Sequence, residues 1–277
     1  MSYRRRALWA FLVLALLSVG IRAFWIEPGS IHVTHLSFDS DWVPPALKGL
    51  TAVHLTDLHI TRFGPQEQEL LCILRHVEPD FIFLTGDYID WDGEVENALH
   101  FLSLLNAKIG VWAVLGDYDY SANRNSCRFC HEGTGGLPTT SHSSVHFLRN
   151  SEESVHTGKG WITIAGADRD ASCQGLGKPE SVGSSDRFHI LLSHDPLLFD
   201  ALEGNAGVLV LAGDTHGGQV PLPSWLWGLL GYKKNARYNQ GLFERGGRKM
   251  YVSRGIGTSH LPVRFLRPPE CAVIQFR

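Results

Sequence analysis

The sequence predicts an α/β fold with crossover connections between largely buried strands. Three observations carry that expectation. Short apolar runs recur along the chain, amphipathic stretches separate the early ones, and five of the runs lead directly into Asp and His. Strand–helix alternation of this kind is what parallel strand pairing requires.

In chain order, residues 50–55, 81–85, 110–115, 161–165, 188–192 and 208–212 read as buried strands, each being a short, mostly apolar run. Residues 65–77 and 94–105 place apolar side chains at three- and four-residue spacing, as helices with one apolar face do. Two further strands are expected at 249–253 and 272–276. Residues 121–144, rich in Ser, Gly, Asn and Cys, read as a long loop or insertion. No linker divides the body. The expected organisation is an N-terminal element over 1–30 and one domain over 31–277.

With 277 residues, 44% of them hydrophobic and 19% charged, the chain is not a disordered one, and its net charge of −3 argues against a nucleic-acid binder held by a basic surface. No protein partner is predicted. The charge is unevenly spread. Arg4, Arg5, Arg6 and Arg22 stand in the first thirty residues against one acid, Glu27; removing them from 25 basic and 28 acidic groups leaves 21 and 27. Between the arginines, 7–21 carries no charge. A spanning helix needs about 20 apolar residues, and counting on to Ile26 reaches that length by including Arg22. An uncleaved anchor, spanning or lying in the interface, is expected over a cleaved signal peptide, whose small-residue cleavage pattern is poor here. The positive-inside rule applied to Arg4–Arg6 would send the body across the membrane. Five cysteines, an odd number, do not decide the compartment.

Polar residues cluster at the strand ends: Thr56-Asp57-Leu58-His59, Thr85-Gly86-Asp87, Gly116-Asp117-Tyr118-Asp119, Ser193-His194-Asp195 and Gly213-Asp214-Thr215-His216-Gly217-Gly218-Gln219. Ligands bind beyond the carboxyl ends of strands in open α/β sheets. Carboxylates gathered there are costly to bury unpaired, and a divalent cation removes the cost.

The order of these motifs resembles the calcineurin-like metallophosphoesterases, over roughly residues 50–277, and most of all their bacterial membrane-associated branch. The family pattern is D-x-H, G-D, G-N-H-D or -E, an isolated His, then G-H-x-H. Ser253-Arg254-Gly255-Ile256-Gly257-Thr258, Arg264 and Pro268-Pro269-Glu270 extend the likeness. The resemblance implies a four-layer α/β/β/α sandwich and a two-metal hydrolase in which paired ions activate a water and clamp the phosphoryl oxygens. It makes Asp57, His59, Asp87 and His216 ligands of a first ion, and Asp87, Asp117, His194 and Asp214 ligands of a second. Here the sequence departs from the pattern, because Asp117 replaces Asn and Asp214 replaces the first His of G-H-x-H. Three carboxylates favour a hard ion, Mn²⁺ first, with Mg²⁺ or Fe²⁺ as alternatives.

Tyr118 stands where the family has its catalytic His. A phenol with a pKa near 10 is a poor general acid at neutral pH, so a good leaving group such as a phosphate is expected. Tyr118 then positions substrate or serves as a packed aromatic. Arg62, Arg124 and Arg254 are candidates to hold phosphoryl oxygens, although each also reads as a solvated surface arginine. Trp225 and Trp227, in a Pro/Gly-bounded apolar loop that ends on Lys233 and Lys234, read as a lipid-facing surface or as a core-packed loop. Together these features imply a lipid-linked substrate and contact with membrane lipid. Within the branch the implied activity is conversion of UDP-2,3-diacylglucosamine to UMP and 2,3-diacylglucosamine 1-phosphate, in lipid A biosynthesis. A broader phosphodiesterase, a phospholipid phosphatase and a non-catalytic scaffold are the alternatives. That substrate implies the cytoplasmic face of a bacterial inner membrane, against the reading from Arg4–Arg6.

Cys127-Arg128-Phe129-Cys130-His131 matches the C-x-x-C-H spacing of haem attachment. A structural zinc with His142 or Cys173, a loop disulfide and an ordinary loop compete with that reading, and the ordinary loop is expected. His32, His35 and His54 are expected to be structural histidines.

Overall fold

Central strands that are buried on both faces need a layer of cover on each side. In the computed structural model, which describes residues 3–39, 41–90, 93, 95–120, 145–168, 188–202, 207–259 and 261–277, two six-stranded sheets supply each other's inner cover. The first contains β1 (His32–Phe38), β2 (Thr51–Leu55), β3 (Phe81–Thr85), β4 (Gly110–Val114), β5 (Val145–Phe147) and β12 (Glu270–Phe276), in the order β1-β12-β2-β3-β4-β5. The second contains β6 (Ser151–His156), β7 (Trp161–Ala167), β8 (His189–Ser193), β9 (Val208–Ala212), β10 (Gly241–Arg245) and β11 (Arg248–Val252), in the order β10-β11-β9-β8-β7-β6.

The two-residue period of a strand divides its side chains between two cores. Phe81 and Phe83 of β3, Ile190 and Leu192 of β8, and Leu209 and Leu211 of β9 meet between the sheets. Ile82 and Leu84 face outward to Leu70 and Leu74 of α2 (Pro65–Val77) and to Ala98, Phe101 and Leu102 of α3 (Val95–Ser103). On the far side, Leu191, Val208 and Val210 pack with Leu198 and Phe199 of α4 (Leu198–Ala201). The layers are therefore α/β/β/α. Each of these fully buried apolar side chains contributes about 1.5–3 kcal/mol.

All eight expected strands are present, most with ends shifted by one or two residues. The four that sequence reading missed are β1, β5, β6 and β10. All four are sheet edges, and an edge strand needs less apolar surface: β6 is Ser-Glu-Glu-Ser-Val-His and pairs with β7 alone. Helix α2 starts where expected, with Pro65 in the first turn and the Gly64 N–H donating to the Glu67 carboxylate at 2.7 Å. It stops at Glu78, whose backbone is left-handed.

The first helix, α1 (Tyr3–Ile21), buries no side chain, and with its continuation to Gly29 it is long and apolar enough to cross a membrane. It continues into a π-helical turn, Arg22–Ile26, that is fastened to residues 261–269, the C-terminal strap. The Arg264 N–H donates to the Ala23 carbonyl at 2.9 Å, and the Arg267 N–H to the buried Glu27 carboxylate at 2.6 Å.

Arg264 is the largest fully buried side chain, and its guanidinium donates to the carbonyls of Arg254, Gly255, Gly257 and Arg267. Arg264→Met should destabilise the chain by roughly 3 kcal/mol, since several carbonyls lose their donor at once; urea unfolding measures it. His54 is also fully buried and sits 2.8 Å from the Thr85 hydroxyl, with burial pushing its imidazole down to about 3. An unfolded His titrates near 6.5, so between those values the unfolded chain binds the extra proton. The stabilisation is complete above pH 6.5 and is lost as pH falls. His54→Gln should make stability less pH-dependent by about 1–2 kcal/mol between pH 7 and 5, read from urea midpoints at both values.

Candidate metal centre

The strand ends deliver their polar residues through strained backbone. Asp57, His59, Asp87, Asp214 and His216 all have left-handed φ, at 51°, 45°, 55°, 72° and 51°. Such conformations cost on the order of 1–2 kcal/mol each in a non-glycine residue and persist where the surroundings over-determine them. The surroundings here are tight. A Cβ on Gly116 would lie 2.2 Å from Asp87 Oδ1, and one on Gly213 would lie 2.0 Å from Thr56 Oγ1. Neighbouring loops bond directly: the Asp57 N–H donates to the Gly86 carbonyl, and the His59 N–H to the Asp87 carbonyl.

The loops from both sheets converge on one cluster. Asp57, His59 and His216 each offer a ligand atom within 4.8 Å of the others, and Asp57, Asp87 and His194 form a second such group. All five residues are buried. Nε2 of His59 and Nε2 of His216 face each other at 3.2 Å, with Asp87 Oδ2 3.6 Å from the first and Asp57 Oδ1 3.4 Å from the second. His194 Nδ1 lies 2.7 Å from the Thr85 carbonyl, which only an N–H there can satisfy, so its Nε2 is turned toward Asp87 Oδ2 at 3.4 Å and Asp214 Oδ1 at 3.9 Å.

The electrostatics require positive charge at this place. Burial pushes the Asp57 carboxyl up to about 6, against the pull of His194. Burial and then His59 hold the His216 imidazole well below its ordinary value, so it is neutral and keeps a lone pair, the form that ligates metal. For His194, burial opposes charge, yet Asp87 and Asp214 raise its imidazole well above the ordinary range. Buried carboxylates facing imidazole nitrogens thus need a proton or another cation between them. The donor set, oxygen and imidazole nitrogen in two groups sharing Asp57, fits divalent ions.

Asp117 and Asp214, expected to complete a second site, lie outside both groups. Asp214 approaches the second through His194, but its other oxygen pairs with Lys234 of α6 (Lys233–Arg237), which also meets Asp195 at 3.0 Å. The ring of Tyr118 stands edge-on to that of His59, with centroids 4.7 Å apart, and its N–H donates to Asp87 Oδ1 at 2.8 Å. Burial, with Asp87 and Asp90 beside it, pushes the phenol up to about 12.

Arg62 is exposed. The Arg254 guanidinium is engaged by Glu270, Thr34 and the Pro268 carbonyl. Trp225 is 69% exposed, whereas Trp227 is 8% exposed and packs on Gly218, both within or bordering α5 (Ser224–Leu229). Arg124 and the Cys127/Cys130/His131 cluster, with His142 and Cys173, lie outside the described residues.

Sequence reading missed two groups that build the centre. Asp119, fully buried, accepts the N–H groups of Asp87, Tyr88 and Gly116 and so locks the β3 and β4 loops together. Its position two residues after Asp117 was the available signal. Lys234 carried none, because a lysine ending an apolar loop looks like a solvated one.

Comparison with known proteins agrees with this geometry. Residues 50–218 match the family described as "Calcineurin-like phosphoesterase". The uncharacterized metallophosphoesterase YkuE of Bacillus subtilis is 29% identical over 92% of this chain and 88% of its own length. The UDP-2,3-diacylglucosamine pyrophosphatase LpxG of Chlamydia muridarum is 27% identical over 90% of each chain. The phosphodiesterase YaeI of Escherichia coli is 26% identical over 91% of this chain and 90% of its own. With strands, loops and clustered ligands in the family's order, the chain belongs to the calcineurin-like phosphoesterases and is a metal-dependent phosphoesterase.

Proposed function

We propose that the chain hydrolyses a phosphoanhydride in a lipid-linked substrate, with UDP-2,3-diacylglucosamine, cleaved to UMP and 2,3-diacylglucosamine 1-phosphate, as its best candidate. The observation that carries the reading is a set of exposed apolar side chains on three segments that are tied to one another and to the turn carrying His216. Trp25 and Ile26 follow α1, Trp225 and Leu229 belong to α5, and Leu261 and Leu266 lie on the C-terminal strap, all largely exposed. The strap holds Ala23 at one point and, through Leu261 and Val263, the Gln219 side chain at another; Gln219 follows His216 in the same turn. Trp227 packs α5 onto Gly218 of that turn. Apolar side chains of this kind, beside a helix able to enter a bilayer, suit a substrate with acyl chains. The likeness to the Chlamydia UDP-2,3-diacylglucosamine pyrophosphatases supports the choice.

In this reading Asp57, His59, Asp87 and His216 hold one divalent ion, and Asp87, His194, Asp117 and Asp214 hold a second, with Mn²⁺ favoured by the oxygen-rich donor set. The ions, when bound, lower the pKa of a water toward neutrality and screen the phosphoryl oxygens. The chain's own residues set the stage. Asp119 and Thr85 fix the loops, and His216, kept neutral, presents its lone pair. Water would add to phosphorus as the anhydride P–O bond breaks, its proton passing to solvent, and the departing phosphate, with a second pKa near 6, needs little protonation. That suits Tyr118, whose raised pKa makes it a poor acid and which in this reading positions substrate or packs on His59; Arg62, Arg124 and Arg254 are the candidates for the phosphoryl oxygens. Residues 1–30 serve as the anchor in a bacterial inner membrane and 31–277 form the catalytic domain, on the cytoplasmic face where the nucleotide is.

Purified chain with Mn²⁺ should release UMP from UDP-2,3-diacylglucosamine in mixed micelles. Rapid cleavage of alkyl phosphodiesters or phosphatidic acid with that lipid untouched would favour a broader phosphodiesterase or lipid phosphatase, as the name of YaeI suggests; no hydrolysis of any of these by metal-loaded protein would favour a scaffold. Asp57→Asn and Asp87→Asn should each lower kcat at least a thousandfold. Tyr118→His should raise the rate on an alkyl phosphodiester about tenfold or more, as a restored general acid would, and change the pyrophosphate rate far less.

A further inference from the structure

Asp214 does not face the centre alone. One of its oxygens is turned toward His194, and the other is paired with the ammonium of Lys234, whose second partner is Asp195 Oδ2 at 3.0 Å. The lysine is not a loose surface chain. Its helix is pinned to the ligand loop through Asn235, whose amide donates to the Thr215 carbonyl at 2.7 Å and to Asn239 Oδ1 at 3.1 Å; the Thr215 hydroxyl donates to the Asn239 carbonyl at 2.6 Å. Thr215 lies between Asp214 and His216, so the turn that presents both also fixes where Lys234 stands. Asp195 is held in turn, because its Oδ1 accepts the Leu197 N–H at 2.8 Å.

We infer that Lys234 is a built-in cation that competes with the second divalent ion for Asp214, so that the two ions bind with unequal affinity. The inference rests on the two-ion reading above. Where the family pattern has a neutral imidazole, this chain has a carboxylate paired with an ammonium, and a second carboxylate, Asp195, holds that ammonium in place. An ion ligated by Asp214 has that ammonium one carboxylate away, and in a partly buried site like charges repel strongly. Among the described residues no lysine or arginine forms an ion pair with Asp57, His59 or His216; the buried Arg264 acts on Asp57 and His216 without pairing with either. The first ion therefore binds tightly and the second weakly, and the occupancy of the second follows the ambient concentration of the metal. Lys234 acts here as a positioning residue, through Asp214.

Calorimetric titration of Mn²⁺ into metal-stripped full-length protein in detergent tests this, with thermal melts to establish that each variant is folded. Lys234→Met should tighten the second binding event at least tenfold and leave the first within twofold, while Lys234→Arg should behave as the unaltered chain. Lys234→Gln should reproduce Lys234→Met and stands in for it if that variant does not fold. A second event equal or weaker in the Met and Gln variants overturns the inference and leaves the two-ion reading intact. A single event of two ions per chain in the unaltered protein also overturns the inference alone, and a single event of one ion per chain in every variant overturns both.

Discussion

Everything at the heart of this molecule depends on keeping carboxylates and imidazoles buried together without leaving their charge unbalanced. Asp57, His59, Asp87, His194 and His216 are all nearly inaccessible to water. A lone carboxylate in such a place would take up a proton, and the upward shift of Asp57 shows that pressure. Cations at the cluster relieve it. The fold can then be read as the apparatus that brings five acid- and histidine-bearing loops from two sheets to one point and prevents them from relaxing apart.

That apparatus is stiff because it is over-determined. Left-handed backbone at five of the proposed ligands would unwind in an isolated peptide. It is held by bonds that run from loop to loop: Asp119 takes three N–H groups from the β3 and β4 ends, and Thr85 binds His54 through its hydroxyl and His194 through its carbonyl. The glycines at 116 and 213 leave room for carboxylates and hydroxyls to approach backbone closely. Further out, Arg264 ties the Ser253–Gly257 region to the segment after α1, so the base of the apolar helix and the metal centre share a foundation.

Much of this was legible in the sequence. The strands that lead to the cluster are central and apolar, and their ends carry Asp and His in an order that few other folds would need. Edge strands such as β6 and β10 were not legible, since a strand with a free side satisfies half its bonds with solvent and can be polar. Trp225 and Trp227 illustrate a second limit. Two residues apart in the same run, one is exposed and the other packs under Gly218, a division that depends on how the short helix α5 is rotated. Lys234 illustrates a third, for its partners Asp195 and Asp214 are distant in sequence and meet it only through the packing of α6 on Thr215.

The metal centre is tested most directly by anomalous diffraction from crystals of the Mn²⁺-loaded chain, collected on either side of the manganese absorption edge. The predicted result is a strong anomalous peak within coordination distance of Asp57, His59, Asp87 and His216. An empty anomalous map at that cluster, in crystals shown to contain manganese, would contradict the view that these buried charges are there to hold a metal ion.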